Sequence, residues 1–130
     1  IRIHGDRFVF QSEVLFSSGS AILGREGQSE MRKLANALKE ISATIPKNID
    51  WVLRVDGHTD VLPIRTPQFP SNWDLSTARA LSVVKYLIAE GISPKRLAAT
   101  GFGQFHPLDK SSGPEALKRN RRIEMRLTQR

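Results

Sequence analysis

Cysteine is absent from the 130 residues. Disulfides and thiolate metal sites are therefore excluded, while the compartment stays open, because cytosolic and periplasmic proteins both do without the residue. No apolar run approaches the roughly 20 residues that a membrane-spanning helix needs, and Ile1 opens the chain without a charged leader or apolar h-region. The expectation is a soluble domain, readable as an excised piece of something longer. Aromatic residues make up 7% of the chain, a share that core and loop packing can absorb. The three histidines, His4, His58 and His106, have neither H-x-x-x-H spacing nor cysteine companions, so no metal site is expected. No G-x-S-x-G nucleophile motif accompanies His58, which reads as a buried strand-end histidine; no catalytic residue and no enzyme activity are expected. Gly101-Phe102-Gly103 lacks the third glycine of a dinucleotide fingerprint, and a tight turn explains it without a cofactor.

What is present is charge and pattern. At 39% hydrophobic and 25% charged, the chain has the make-up of a single globular domain over residues 1–130. The formal net charge is +7, and the last twenty residues carry six bases, Lys118, Arg119, Arg121, Arg122, Arg126 and Arg130, against Glu115 and Glu124. Such a cluster suits nucleic acid, an anionic membrane surface or an acidic polymer, and charge alone does not choose. The chain has no recognisable nucleic-acid module and no aromatic-basic interleaving, so nucleic acid is not expected as a partner.

Periodicity orders the rest. Ile1–His4 and Arg7–Phe10, divided by Gly5-Asp6, predict a hairpin. Phe16 to Ala21 is rich in small turn formers, and from Met31 through Leu34, Ala35, Leu38, Ile41 and Ile45 the spacing predicts a helix ended by Pro46. Trp51, Leu53 and Val55 alternate with polar or smaller neighbours as a strand running into Gly57-His58-Thr59-Asp60. Three prolines between Val61 and Pro70 predict an ordered surface loop. Ser71-Asn72-Trp73-Asp74 has the S-x-x-D form of a capping box, starting a helix to Glu90-Gly91, with Phe69-Pro70 ahead of it as a candidate hydrophobic staple. Its apolar stripe is read as Ala80, Leu81, Val84, Leu87 and Ile88, which leaves Arg79 bordering the core. Ser93-Pro94 predicts a helical turn, Leu97–Thr100 a strand, Pro114–Lys118 a brief helix and the alternation about Ile123, Met125 and Leu127 a final strand. The order implies an α+β sandwich, a mixed sheet with helices packed on one face.

Several short motifs then fall in one order: Gly57-His58-Thr59-Asp60, Asn72-x-x-Leu75-Ser76-x-x-Arg79-Ala80, Gly101-x-Gly103 with Pro107, and Asn120-Arg121-Arg122, preceded by Phe16 with Gly19-Ser20-Ala21. This constellation resembles the OmpA-like peptidoglycan-binding family, from residue 57 to 122 with the earlier entry added. The resemblance implies a β-α-β-α-β fold that holds the peptidoglycan stem peptide through its diaminopimelate, with Asp60 and Arg79 as principal ligands. Thr59, Asn72, Asn120 and Arg121 are further candidates. A zwitterionic amino-acid terminus needs a carboxylate for its ammonium and a donor-rich cation for its carboxylate, and Asp60 and Arg79 supply one of each. Backbone N–H groups near Asn72 add to anion binding at a helix start. By pattern alone, a structural ion pair between Asp60 and Arg79 is the competing reading.

The long proline-rich link from Val61 to Ser71, with Pro63-Ile64 and Phe69-Pro70-Ser71-Asn72-Trp73-x-Leu75-Ser76, is similar to the MotB-type flagellar stator branch. That similarity implies a periplasmic domain of an inner-membrane protein, partnered by a MotA-type subunit and homodimeric. A general envelope tether with no motor role is the alternative.

Overall fold

A computed structural model describes residues 2–4 and 7–130. Strands β1 (Arg2–His4) and β2 (Arg7–Gln11) pair antiparallel; the Gly5-Asp6 turn of the expected hairpin, and Ile1, lie outside the described residues. Strand β2 pairs antiparallel with the last strand, β5 (Arg122–Gln129), which pairs antiparallel with β3 (Trp51–His58). Strand β3 is parallel to β4 (Leu97–Gly101), and a parallel neighbour requires a crossover connection. The order β1-β2-β5-β3-β4 makes a mixed five-stranded sheet, the α+β architecture expected.

Among the described residues four α-helices accompany it, α1 (Ser12–Leu15), α2 (Arg25–Thr44), α3 (Asn72–Ala89) and α4 (Pro114–Asn120), and the helical turn expected at Ser93-Pro94 is a 3-10 turn over Pro94–Arg96. Helix α2 starts well before Met31. Its first residues, Arg25 to Glu30, include no large apolar side chain, so periodicity cannot see them. Gly27 is buried there, so close to the Leu15 backbone that a Cβ would collide with it. The S-x-x-D cap forms as read, the Ser71 hydroxyl accepting the Asp74 N–H at 3.3 Å, and Phe69 packs with Leu75 and Ala21 in a small second core.

The apolar stripe of α3 holds at Ala80, Val84 and Leu87 but is shifted from the one expected. Leu81 and Ile88 are partly exposed, whereas Leu75, Ser76, Arg79, Ala80, Val83, Val84 and Leu87 are buried. The helix is rolled because its first turns rest directly on two strand ends. A Cβ on Gly57 would overlap the Ser76 carbonyl oxygen, and one on Gly101 would overlap the Thr77 hydroxyl. Arg79 therefore enters the interior rather than bordering it, at 5% exposure.

Strand alternation divides the sheet into two faces. Trp51, Leu53 and Val55 of β3, with Ile123 and Met125 of β5, join Met31, Leu38, Val83 and Leu87 in the main core. On the other face Arg54 and Asp56, Arg122 and Glu124, and Arg7 and Glu124 form ion pairs. The loop after β4 folds over them: Phe102 stacks on His58 with centroids 5.0 Å apart, His106 meets Phe102 edge-on, and Arg122 donates to the His106 carbonyl at 2.9 Å.

Candidate functional site

Where β3 ends, the chain turns sharply and displays a carboxylate. Thr59 donates its N–H to the Gly103 carbonyl at 2.9 Å, tying the end of β3 to the turn after β4, and its hydroxyl donates to the Asp60 carbonyl. Asp60 Oδ1 accepts the Leu62 N–H at 2.9 Å, an Asx turn that fixes the side chain. Its Oδ2 accepts Arg121 Nη1 at 2.8 Å, and Arg121 Nε reaches Glu13 Oε1 on α1 at 2.5 Å. Burial works against the Arg121 charge, but its hydrogen bonds to Asp60 and Glu13 outweigh that and hold the guanidinium above the ordinary arginine pKa.

Arg79 reaches the same place from α3. Its Nε donates to the Ser20 carbonyl at 2.7 Å and its Nη2 to the Ser17 carbonyl at 3.2 Å, while the guanidinium lies 5.1 Å from the centroid of the Phe16 ring. Arg79 thus organises the Phe16–Ala21 loop as well as facing the opening. Burial pulls its pKa below the ordinary value; Arg121 adds to this, and Glu13 and Asp60 oppose it.

Asn72, first residue of α3, pins the proline-rich loop. Its Oδ1 accepts the Ile64 N–H at 3.1 Å, and its Nδ2 donates to the Leu62 carbonyl at 3.1 Å and to Gln104 Oε1 at 3.2 Å.

Thr59, Asp60, Asn72, Arg79 and Arg121 all line one cavity of about 470 Å³, together with Glu13, Phe16, Gly19 and Leu62. The volume suits a small ligand. Two carboxylates and two guanidiniums surround it, so the opening is charge-balanced. Asp60 and Arg79 make no direct pair: the carboxylate is bonded to Arg121, and the Arg79 bonds go to backbone. Asn120 lies elsewhere. Its amide clamps Asp109, accepting that residue's N–H at 2.8 Å and donating to its carbonyl at 2.9 Å, so it orders the chain just before Arg121. Hydrogen bonds from Ser111, then Arg119, hold the Asp109 carboxyl down at about 2. Glu13 was missed from sequence. A four-residue helix leaves no period to read, and its partner Arg121 stands 108 positions away.

A mixed sheet in which the inner strand β3 leads into an aspartate at a charge-balanced cavity, under a helix that delivers an arginine, defines a binding module of α+β type. The sequence pattern of the OmpA family matches residues 15–121, and the chain belongs to the OmpA family. It is 31% identical to Motility protein B of Bacillus subtilis over 88% of this chain and 42% of that one. A MotB-like protein from Desulfovibrio vulgaris superposes with a TM-score of 0.84 at 30% identity, over 95% of this chain and 75% of that one. The cell wall anchor of the type VI secretion system (T6SS) from Pseudomonas aeruginosa does so at 0.81 and 32% identity, over 95% and 80%. The chain spans about half the length of the curated relatives it matches.

Proposed function

We propose that this domain grips peptidoglycan non-covalently, by seating the diaminopimelate of a stem peptide in the cavity between Asp60 and Arg79. The observation that carries the reading is the convergence of those two side chains, of opposite charge and not bonded to each other, on one opening. An ionised carboxylate has about four lone-pair sites, so Asp60 can accept a ligand ammonium beside Leu62 and Arg121. The ligand carboxylate meets the guanidiniums of Arg79 and Arg121, which offer charge-assisted hydrogen bonds. Thr59 and Asn72 hold the two walls in place. Nothing in this scheme makes or breaks a covalent bond, so the protein is a binder and not an enzyme.

The parent is a membrane-anchored protein that uses this domain, in the periplasm, to hold itself to the wall. The kinship with a motility protein and with a wall anchor supports that role. The proline-rich link at 61–71, gathered by Asn72, favours a MotB-like stator over a general envelope tether. In that setting the domain works as a homodimer, beside a MotA-type subunit in the inner membrane.

Co-sedimentation with isolated sacculi tests the binding. Wild-type protein pellets; Asp60→Asn, which keeps the shape of the turn while removing the charge, and Arg79→Ala stay in the supernatant. Arg79→Ala also leaves the Ser17 and Ser20 carbonyls unpaired, at a cost of roughly 1–3 kcal/mol, so its thermal melt is recorded alongside. Pelleting of both variants at the wild-type level would remove the assignment.

A further inference from the structure

One residue beyond the cavity-lining Asn72 stands an aromatic pair that the diaminopimelate grip does not use, its Phe105 lining a second cavity with His58 and Arg122. Trp73 and Phe105 stack with centroids 5.2 Å apart and planes inclined by 29°, yet they remain 50% and 56% exposed. Large aromatic side chains normally hide far more of their surface. The pair is not loosely held. Asn72 and Gln104, the residues just before each ring, are hydrogen-bonded to one another. Gly103 takes a positive φ of 62° and donates its N–H to the Ser76 hydroxyl at 3.0 Å, which fixes the turn carrying Phe105 against the first turn of α3. Val61 and Leu62 are exposed in the adjoining loop, and Leu62 also lines the cavity.

We propose that Trp73 and Phe105 form a stacking shelf for an amino-sugar ring of the glycan strand whose stem peptide fills the cavity. This rests on the reading of the cavity given above. A pyranose ring has a flat face of C–H groups and a rim of hydroxyls. The electron-rich face of an aromatic ring attracts such C–H groups and leaves the hydroxyls in water. Reach is compatible too. Asn72 lines the cavity and Trp73 is the next residue, one Cα step of about 3.8 Å away, whereas a three-residue stem peptide spans up to roughly 10 Å. The shelf makes the domain a reader of intact, glycan-linked stems over loose peptide.

The full chain is titrated with two ligands: the free tripeptide ending in diaminopimelate, and the same tripeptide attached to its disaccharide. Wild type binds the disaccharide form about tenfold more tightly, equivalent to ~1.4 kcal/mol. Trp73→Ala and, separately, Phe105→Ala bring that ratio close to one while leaving tripeptide affinity unchanged. Trp51 is buried, so quenching of tryptophan fluorescence by the disaccharide form reports on Trp73. A ratio of one in the wild type overturns the shelf alone, and so does a parallel loss of both ligands in both variants. A wild-type chain that binds neither ligand overturns the cavity reading and the shelf with it.

Discussion

Arg121 is held between two carboxylates and Arg79 between two backbone carbonyls, and this difference divides their labour. The place of Asp60 at a strand end was legible because a strand ran into a motif that ended in it, and that of Arg79 on a capped helix because a second motif put it there. Neither the intervening Arg121 bond nor Glu13 was legible, since both depend on contacts between segments more than 60 positions apart. His58 was read as a buried strand-end histidine, and its surroundings give that reading a measurable consequence. Burial, then the positive charge of Arg122, pushes its pKa down from 6.5 to about 4, with Glu124 opposing and His106 and Arg7 adding smaller depressions. The folded protein therefore resists a proton that the unfolded chain accepts. Stability is intact above pH 6.5 and is lost as pH falls from there to about 4, by about 3 kcal/mol at most. His58→Phe, which retains a flat ring against Phe102, flattens the stability profile across that window when urea denaturation is compared at pH 7, 5.5 and 4. Equal slopes in the two proteins would contradict the assignment.

Among the elements, helix α3 shows where periodicity succeeds and where it stops. Its cap, its staple and its end were legible from local chemistry, because Ser71, Asp74, Phe69 and Gly91 act on immediate neighbours. Its buried face was misread at Leu81 and Ile88. Rotation of a helix about its axis is set by what it rests on, and here that is Gly57 and Gly101 on two different strands. The early start of α2 escaped for a related reason: its contact is Gly27 against a backbone, which leaves no apolar signal. Close approach of α3 to the sheet is also what brings Arg79 beside Asp60. Gly57→Ala must push Ser76 and the first turns of α3 outward, with an expected destabilisation of about 1–3 kcal/mol. Chemical denaturation reads that loss. Ligand affinity falls as well, since the distance from strand end to helix grows. An alanine variant as stable as wild type would show that the helix and sheet can separate freely there.

Across the whole molecule, net charge proved the least informative number. The carboxy-terminal basic cluster is not one patch: Arg119 pairs with Asp109, Arg121 with Glu13 and Asp60, Arg122 with Glu124, and Arg130 with Asp50. Those arginines are paired with carboxylates on separate segments, so they do not form a single docking face for anions. What the molecule concentrates instead is balance, two charges of each sign at the end of strand β3. The most direct test of that balance is a calorimetric titration with two tripeptides identical except at the third residue, one ending in diaminopimelate and one in lysine. Lysine keeps the side-chain ammonium for Asp60 but lacks the side-chain carboxylate beside it, so the charge-assisted bonds to Arg79 and Arg121 are not made. Binding of the diaminopimelate peptide with at least a tenfold loss for the lysine peptide, a difference of ~1.4 kcal/mol or more, is the predicted result. Equal affinity for the two would contradict the account.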